Sequence, residues 1–338
     1  MLKSQKTYTV MNDKKSHFIS VGSFLPETVL TNHDLAKIVD TSDEWITKRT
    51  GIKERRIADK YSVSDLALNA AKNCLLSIKN FDPGDLSAII VATSTPDKNM
   101  PSVANIVQHG LCANNAFSFD LNAACSGFLY SVSVADALIK SDKASSVLII
   151  GVDKMSKIVD WTDRNTCVLF GDGAGAMLVS SDPKYFKTDI SDHDISDQSF
   201  CGIFYDSLCC DASLKSELET DAKGKITMNG RKIFETAVKK LSIAIESALF
   251  KSNIGAECID LFIFHQANIR IIESLSKKLN ISKDKVVTTI EECANTSAAT
   301  IPITLDKAKK DGRLKHGNKV VLAAMGAGFT WGVCLLKI

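Results

Sequence analysis

The stretch SDLALNAAKNCLLSIKNFDPGDLSAIIVATST, residues 64–95, predicts one unit of an α/β fold. Apolar residues recur at helical spacing in its first part, a Pro-Gly turn follows at residues 83–84, and a run rich in isoleucine and valine predicts a buried strand. Residues 234–266, FETAVKKLSIAIESALFKSNIGAECIDLFIFHQ, show the same order 170 positions later. The chain therefore predicts a duplicated α/β architecture.

The repetition continues beyond both strands. Each copy goes on with a helix, a strand that leads into a helix, and a further strand, at 101–111, 116–128 and 145–153 and again at 270–279, 286–299 and 318–326. The spacing of 170 makes Cys125 equivalent to Asn295 and puts His265 at a strand end, near the counterpart of Thr95. Chance similarity between two α/β units is the alternative. A true duplication predicts that the cysteine, histidine and asparagine meet near a shared pseudo-twofold axis, beyond the carboxyl ends of the strands.

This repetition also predicts the domain organisation. Residues 17–185 form a first half that carries Cys125, and residues 186–338 form a second half that carries His265 and Asn295. Residues 1–16 are basic and polar and predict a flexible tail.

Composition excludes several classes of protein. With 338 residues, 45% hydrophobic and 24% charged, the chain can bury a large core, and a net charge of +2 gives no general nucleic-acid footprint, although local basic patches stay open. No apolar run approaches the roughly 20 residues of a membrane span. Ten cysteines without a CxxC pair, and an N-terminus without the apolar core of a leader, favour reduced thiols in a cytoplasm. The sequence shows no ligand cluster, so we predict neither a metal nor a redox cofactor.

The segment DLNAACSGF, residues 120–128, places one thiol at the start of a predicted helix. A helix N-terminus favours the thiolate, so we expect the pKa of Cys125 to fall into the range of roughly 3.5 to 7.5 that activated cysteines show. A buried inert thiol is the alternative. His265 follows an apolar strand, with His109 as its only rival among the other histidines, and Asn295 alone would be explained as a helix cap.

Two glycine-rich stretches, FGDGAGA at 170–176 and MGAGFTWG at 325–332, lack the pattern of a phosphate-binding loop. We interpret their glycines as points of close backbone approach, including an N–H directed at an oxyanion.

Together, DLNAACSGF, HQAN at 265–268, ANTSAA at 294–299 and GAGFTWG at 326–332 resemble the β-ketoacyl-[acyl-carrier-protein] synthase III enzymes of the thiolase superfamily. The resemblance runs from about residue 17 to the C-terminus. It implies a thiolase-like duplicated fold with α-β-α-β-α layers and a Cys125, His265 and Asn295 triad. It also implies an oxyanion hole made by the backbone N–H groups of Cys125 and Ala327, whereas Cys293 is expected to be a packed neighbour.

The resemblance also assigns binding residues. TSDEWITKRTGI at 41–52 and DWTDRNT at 160–166 are similar to the family's coenzyme A segments, which implies coenzyme A contacts at Trp45, Arg49, Thr50, Arg164 and Asn268. An aromatic face and a guanidinium plane suit an adenine base. Without the resemblance, Trp45 would be assigned to the core and Arg49 to the surface.

Further residues concern the acyl group and the carrier protein. Met100 stands where many members of the family place phenylalanine at the end of the acyl pocket, which it reaches across a homodimer, and Phe170 is implied in the same pocket. Arg270 and Lys277 share one face of a predicted helix and are implied in docking the acidic acyl carrier protein, although a plain solvated face explains them equally well. Glu235, at a position that is often basic in the family, departs from this docking pattern, and Ala327 replaces a glycine.

The implied reaction is a decarboxylative condensation of an acyl-CoA, with acetyl-CoA as the favoured primer, and malonyl-[acyl-carrier-protein], at the start of type II fatty acid synthesis. A synthase III-like condensing enzyme of secondary metabolism is the first alternative. A thiol hydrolase is disfavoured because the papain-like Cys-Trp context is absent. A catalytically silent scaffold of the same fold is the alternative outside enzymes.

Overall fold

The computed structural model describes residues 14–186 and 201–338. Its strands are β1 His17–Phe24, β2 Val29–Thr31, β3 Glu54–Arg56, β4 Ala88–Ala92, β5 Phe117–Leu121, β6 Ser146–Lys154, β7 Asp172–Ser180, β8 Gly202–Cys210, β9 Leu218–Thr220, β10 Ile226–Met228, β11 Leu261–Phe264, β12 Lys319–Gly326 and β13 Thr330–Lys337. Its α-helices are α1 Asn32–Leu35, α2 Asp43–Thr50, α3 Val63–Leu76, α4 Val103–Gly110, α5 Gly127–Lys140, α6 Gly230–Lys251, α7 Ile269–Lys278, α8 Ile290–Cys293 and α9 Thr300–Lys310. Short 3₁₀ turns lie between them, including Ala124–Ser126 and Ser297–Ala299.

The main sheet has the strand order β11-β12-β13-β8-β1-β7-β6-β4-β5. Outward from the centre, β1, β7, β6 and β4 of the first half match β8, β13, β12 and β11 of the second, so the predicted duplication is confirmed. The two halves join where His17 of β1 pairs with Gly202 of β8. The second copy of β5 is reduced to a bridge between Phe262 and Val286, after which the chain turns into α8, so the strand expected there is almost absent.

Alternating side chains of the buried strands separate the molecule into five layers. Ile90 of β4 and Leu322 of β12 point inward to one core that also contains the apolar faces of α5 and α9. Their neighbours point the other way, Ile89 to α3 and α4 and Val321 to α6 and α7. Because each strand buries both faces, helices cover both sides of both sheets, which gives the predicted α-β-α-β-α order.

The predicted spacing of the repeat needs a correction. β4 begins at Ala88 and β11 at Leu261, which are 173 residues apart rather than 170. Cys125 in its 3₁₀ turn therefore corresponds to Ala298, not to Asn295. The spacing of 170 comes from an alignment of the sequences that form α3 and α6. These helices have 14 and 22 residues, and a helical pattern does not fix the register between two helices of different length.

At the start of the described chain, Ser16 is fully buried and its Oγ donates to Asp136 Oδ1 at 2.7 Å. The remaining residues of the predicted tail, 1–13, lie outside the described residues, and the predicted boundary at 185/186 adjoins the undescribed segment 187–200 and stays a prediction. Within the described ranges, none of the helices is both long and apolar enough to cross a bilayer.

Candidate active site

A cleft of about 1080 Å³ opens where the carboxyl ends of the central strands of both halves meet. Cys125, His265 and Asn295 all line it. The structure thus brings together the three residues that the sequence placed on different segments, at the location expected for a site in an open α/β fold.

Cys125 lies in the 3₁₀ turn Ala124–Ser126 that precedes α5, and it is buried. Its Sγ accepts a hydrogen bond from Ser297 Oγ at 3.3 Å. Burial raises the pKa of Cys125 to about 12, while the Ser297 hydrogen bond acts in the opposite direction. The prediction of a lowered thiol pKa is therefore wrong, because removal of the thiolate from water outweighs the local donors.

Asn295 is held from both sides of its backbone by the chain before β7. Its N–H donates to Leu169 O at 2.9 Å, and its carbonyl accepts from Gly171 N at 3.1 Å. Its side-chain Oδ1 accepts from Ser297 N–H at 2.8 Å. Since the amide oxygen is used for positioning, the Nδ2 group is left as the donor for the cleft.

His265 directly follows β11 and is almost fully buried. Its Nδ1 lies 2.7 Å from Thr300 Oγ1, a hydroxyl that also lies 3.0 Å from the carbonyl of Ser297. Burial lowers the pKa of His265 to about 3, so the imidazole is neutral at physiological pH. A neutral ring has one N–H, and Thr300 decides which nitrogen carries it.

The turn after β12 supplies the second candidate oxyanion donor. Ala327 lines the cleft, and its φ is not among the positive values, so the alanine at this family glycine position is tolerated. Gly326 allows the two backbones to approach, since a Cβ there would lie 2.7 Å from Cys125 N. The interpretation of this glycine stretch as a point of close backbone approach is thus confirmed.

Comparison with known proteins identifies the family. Family models described as 3-oxoacyl-[acyl-carrier-protein (ACP)] synthase III and its C-terminal part match residues 119–206 and 249–338. The β-ketoacyl-[acyl-carrier-protein] synthase III of Neorickettsia sennetsu is 48% identical over 325 residues, which cover 96% of this chain and 99% of that protein. The chain belongs to the β-ketoacyl-[acyl-carrier-protein] synthase III family.

Solved structures agree with that assignment. The crystal structure of 3-oxoacyl-[acyl-carrier-protein] synthase III from Aquifex aeolicus superposes with a TM-score of 0.89 at 47% identity, covering 96% of this chain and 100% of that one. The priming β-ketosynthase of the R1128 polyketide pathway superposes with a TM-score of 0.87 at 28% identity, over 96% of each chain. The chain is thus an acyltransferase with the thiolase-like fold of the synthase III family.

Four of the five predicted coenzyme A residues line the cleft, and the fifth, Arg164, contacts one of them, Trp45. The half-buried Trp45 on α2 is flanked by Arg164, whose Cζ lies 4.2 Å from the ring centroid, and by Arg49, whose Cζ lies 4.9 Å from it. Thr50 and Asn268 line the cleft beside them. The stacking of a guanidinium on the indole is the arrangement expected for a site that binds a planar base, although the role of these residues stays a prediction.

The acyl-pocket and docking predictions have different outcomes. Phe170 is buried and lines the cleft, whereas Met100 is 79% exposed on this chain and is absent from the cleft lining. Arg270 lines the cleft and donates to Lys48 O at 3.2 Å, whereas Lys277 lies exposed in the last turn of α7. The two predicted docking residues thus share α7, but only Arg270 borders the cleft.

Sequence reasoning missed Ser297 and Asp153. Ser297 contacts the thiol, and its φ of 52° is unusual for a residue with a side chain. Asp153 is fully buried near the carboxyl end of β6. Its signal was a lone carboxylate after the apolar run VLIIGV, at the strand end where sites form. Among the described residues, no group of three or more histidine, cysteine or acidic residues has the arrangement of a metal site.

Proposed function

We propose that the protein catalyses the decarboxylative condensation of an acyl-CoA, with acetyl-CoA as primer, and malonyl-[acyl-carrier-protein]. The products are 3-oxoacyl-[acyl-carrier-protein], CO2 and CoA, and the reaction initiates type II fatty acid synthesis. The observation that carries the proposal is the convergence of a thiol, an imidazole and a carboxamide on one cleft in a chain of this family.

In the first half of the reaction, the acyl group is transferred from coenzyme A to Cys125. The Cys125 thiolate attacks the thioester carbonyl of the acyl-CoA, and the oxyanion accepts hydrogen bonds from the N–H groups of Cys125 and Ala327. Collapse of the tetrahedral intermediate releases CoA and leaves the acyl group on Sγ. Gly326 supports this step because it leaves room for the oxyanion beside Cys125 N.

The second half uses the two donors. Loss of CO2 from the malonyl thioester develops negative charge on the thioester oxygen, which accepts hydrogen bonds from His265 Nε2–H and Asn295 Nδ2–H. This requires the tautomer in which Thr300 Oγ1 gives its single proton to His265 Nδ1, 2.7 Å away, rather than to the carbonyl of Ser297, 3.0 Å away. The carbanion then attacks the acyl-Cys125 carbonyl, and the thiolate leaves.

The proposal also assigns binding sites for coenzyme A and for the carrier protein. The coenzyme A base stacks on Trp45 between the guanidinium groups of Arg49 and Arg164, and Thr50 and Asn268 complete the site. The carrier protein docks on the basic face of α7 through Arg270 and Lys277, because acyl carrier proteins are acidic. Replacement of either residue by glutamate tests docking, with an increased KM for malonyl-carrier and an unchanged KM for acetyl-CoA expected.

Met100 belongs in the proposal through a second copy of the chain. The loop between β4 and α4 exposes Met100 on this chain, and in a homodimer it closes the partner's acyl pocket opposite Phe170. Light scattering at micromolar concentration tests this assembly, and a monomeric mass contradicts it.

All ten cysteines are free thiols, which supports a cytoplasmic location.

Two experiments test the function. Purified protein with acetyl-CoA and malonyl-carrier should form 3-oxobutanoyl-carrier, detected by mass spectrometry of the carrier. A panel of acyl-CoA primers and non-carrier acceptors tests the secondary-metabolism alternative, for which the polyketide priming enzyme at 28% identity is the structural precedent. Failure of every acyl-CoA to acylate the protein would support the scaffold alternative.

A further inference from the structure

Asp153 lies behind the nucleophile with its carboxylate completely removed from solvent. Its Oδ1 accepts hydrogen bonds from Ser94 N–H at 2.8 Å and from the hydroxyls of Thr95 at 2.9 Å and Thr93 at 3.2 Å. Its Oδ2 accepts from Ala298 N–H at 3.2 Å. The carboxylate is therefore fixed in position and is not a free side chain of the cleft wall.

Ser297 connects this carboxylate to the thiol. Its hydroxyl donates to Cys125 Sγ at 3.3 Å, and the same side chain acts to lower the pKa of the neighbouring Asp153 carboxylate, which accepts from the N–H of the next residue, Ala298, at 3.2 Å. The backbone N–H of Ser297 is bound to Asn295 Oδ1 at 2.8 Å, so the residue cannot drift away from either partner. Cys125, Ser297 and Asp153 thus form a buried chain of three exchangeable or accepting groups.

The proposed acylation step needs a destination for the thiol proton. With a thiol pKa of about 12, only on the order of one Cys125 in 10⁵ is a thiolate at neutral pH. His265 is a poor acceptor because burial lowers its pKa to about 3. A buried nucleophile of this kind requires a neighbouring base.

We propose that Asp153 is a positioning residue that acts through Ser297, accepting the Cys125 proton while the acyl group is transferred to sulfur and returning it when the 3-oxoacyl product leaves. This inference rests on the proposed function. No other buried carboxylate of the described chain is connected to Sγ by a hydroxyl, and the connection needs no movement of the backbone.

The step balances in protons and charge. The Ser297 hydroxyl, which donates to Sγ in the resting state, turns towards Asp153. The Cys125 S–H bond then breaks, Ser297 Oγ receives that proton and passes its own to Asp153, and the thiolate attacks the acyl-CoA. The departing CoA thiolate takes a proton from solvent, which is the one proton that the overall reaction consumes. In the second half, the thiolate released by the carbanion attack recovers its proton from Asp153 through Ser297. The carboxylate carries the negative charge at rest and sulfur carries it in the thiolate, whereas in the acyl-enzyme both groups are neutral because Asp153 keeps the proton.

The surroundings of Asp153 suit this exchange. Burial raises the pKa of Asp153, while Ser297, Ser94, Ala298 and Thr95 act in the opposite direction. The groups that face it are Thr93, Ser94 and Thr95 beyond β4, Ser297 and Ala298 of the Asn295 loop, and Cys125. The adjacent Lys154 turns away and donates to Tyr61 O at 3.0 Å. In the described parts of the chain, no cation forms an ion pair with Asp153 that would hold it ionised.

The test measures the rate of acylation of the full-length protein by acetyl-CoA from about pH 6 to about pH 9, by rapid quench and intact mass. Asp153→Asn and Ser297→Ala should each slow acylation by about 10²-fold or more at neutral pH, with rates that recover as hydroxide rises. Ser297→Ala keeps the backbone N–H that positions Asn295. Asp172→Asn is the matched control, because Asp172 is equally buried and caps the N–H groups of Ala58 and Ser156 without a link to Cys125.

Two further readouts separate this role from a structural one. Decarboxylation of malonyl-carrier, which uses His265 and Asn295, should stay within about threefold in Ser297→Ala. Alkylation of Cys125 by iodoacetamide, which needs no acyl-CoA, should slow at neutral pH in both variants and recover at high pH. The inference is overturned if acylation and decarboxylation fall equally, or if neither variant slows acylation and alkylation more than Asp172→Asn does. Absence of acylation in the wild type, with normal alkylation, would count against the proposed function instead.

Discussion

The strand-to-helix junctions of the two halves have the same backbone and opposite chemistry. In both, the first residue of the 3₁₀ turn has a positive φ, Ala124 at 48° and Ser297 at 52°, and the next residue is Cys125 in one half and Ala298 in the other. Across the pseudo-twofold axis, the N–H of Ala298 donates to the Asp153 carboxylate, whereas the N–H of Cys125 faces Gly326.

This difference shows how the duplicated fold makes an oxyanion site. Asp153 and Gly326 are themselves counterparts, 173 residues apart near the ends of β6 and β12. In the second junction, the carboxylate fills the space in front of the helical N–H. In the first junction, glycine leaves that space empty for the oxygen of a substrate. The comparison therefore predicts that the acyl group is transferred to the first junction, with Ser297 of the second assisting the thiol, and that Asn295 of the second junction serves decarboxylation.

The largest expected effect comes from removing the nucleophile of the first junction. Cys125→Ala should give no acyl adduct and lower condensation by more than about 10⁴-fold, because no other group can hold the acyl chain. Intact mass and a coupled condensation assay measure both quantities. An acyl adduct that persists in this variant would refute the assignment of Cys125.

Filling the space in front of Cys125 N–H should have the next largest effect. Gly326→Ala places a Cβ 2.7 Å from Cys125 N, so acylation should slow by roughly 10² to 10³-fold, the cost of losing an oxyanion donor. Ala327→Gly keeps its backbone N–H and should stay within about threefold of the wild type. Single-turnover release of CoA measures the acylation rate. An equal fall in this rate in both variants would contradict an oxyanion site in the space in front of the Cys125 N–H.

His265, which contacts Thr300 next to the second junction, gives the protein a pH-dependent stability. The pKa of His265 is about 3 in the folded protein and ordinarily 6.5. Between these two pH values the unfolded chain therefore binds a proton at His265 that the folded protein does not bind. The stabilisation is complete above about pH 6.5 and is lost as the pH falls towards 3. Urea unfolding of the wild type should show this loss between neutral and mildly acidic pH, and His265→Asn should show a smaller loss. An identical pH dependence in the two proteins would contradict a neutral buried His265.

The smallest effect is expected outside both junctions. Arg164→Ala should raise the KM for acetyl-CoA by up to about fivefold and leave kcat unchanged, because cation–π stacking on Trp45 is worth about 1 kcal/mol. Arg164→Lys keeps the charge but not the planar group and should fall between the two. Steady-state kinetics with varied acetyl-CoA measures this, and a fall in kcat alone would contradict a role confined to binding.

The sequence predicted the duplication and the convergence of Cys125, His265 and Asn295, because alternating hydrophobic patterns and small-residue motifs are local signals. The five layers were implied by the resemblance to the synthase III family. It misjudged the register of the repeat by three residues and the direction of the Cys125 pKa, since register and desolvation depend on packing. Asp153 and Ser297 meet only through folding: they are 144 positions apart in the chain, and the residue after Ser297, Ala298, donates its N–H to the Asp153 carboxylate. No local pattern encodes such a contact.

One experiment tests whether acylation depends on Cys125 and decarboxylation on Asn295. Wild type, Cys125→Ala and Asn295→Ala are each given acetyl-CoA alone and malonyl-carrier alone, and acyl adduct and CO2 are measured. The account predicts that Asn295→Ala is still acylated but releases CO2 at least about 10²-fold more slowly, while Cys125→Ala releases CO2 without being acylated. Loss of both half-reactions in both variants, with the fold intact, would contradict the central claim.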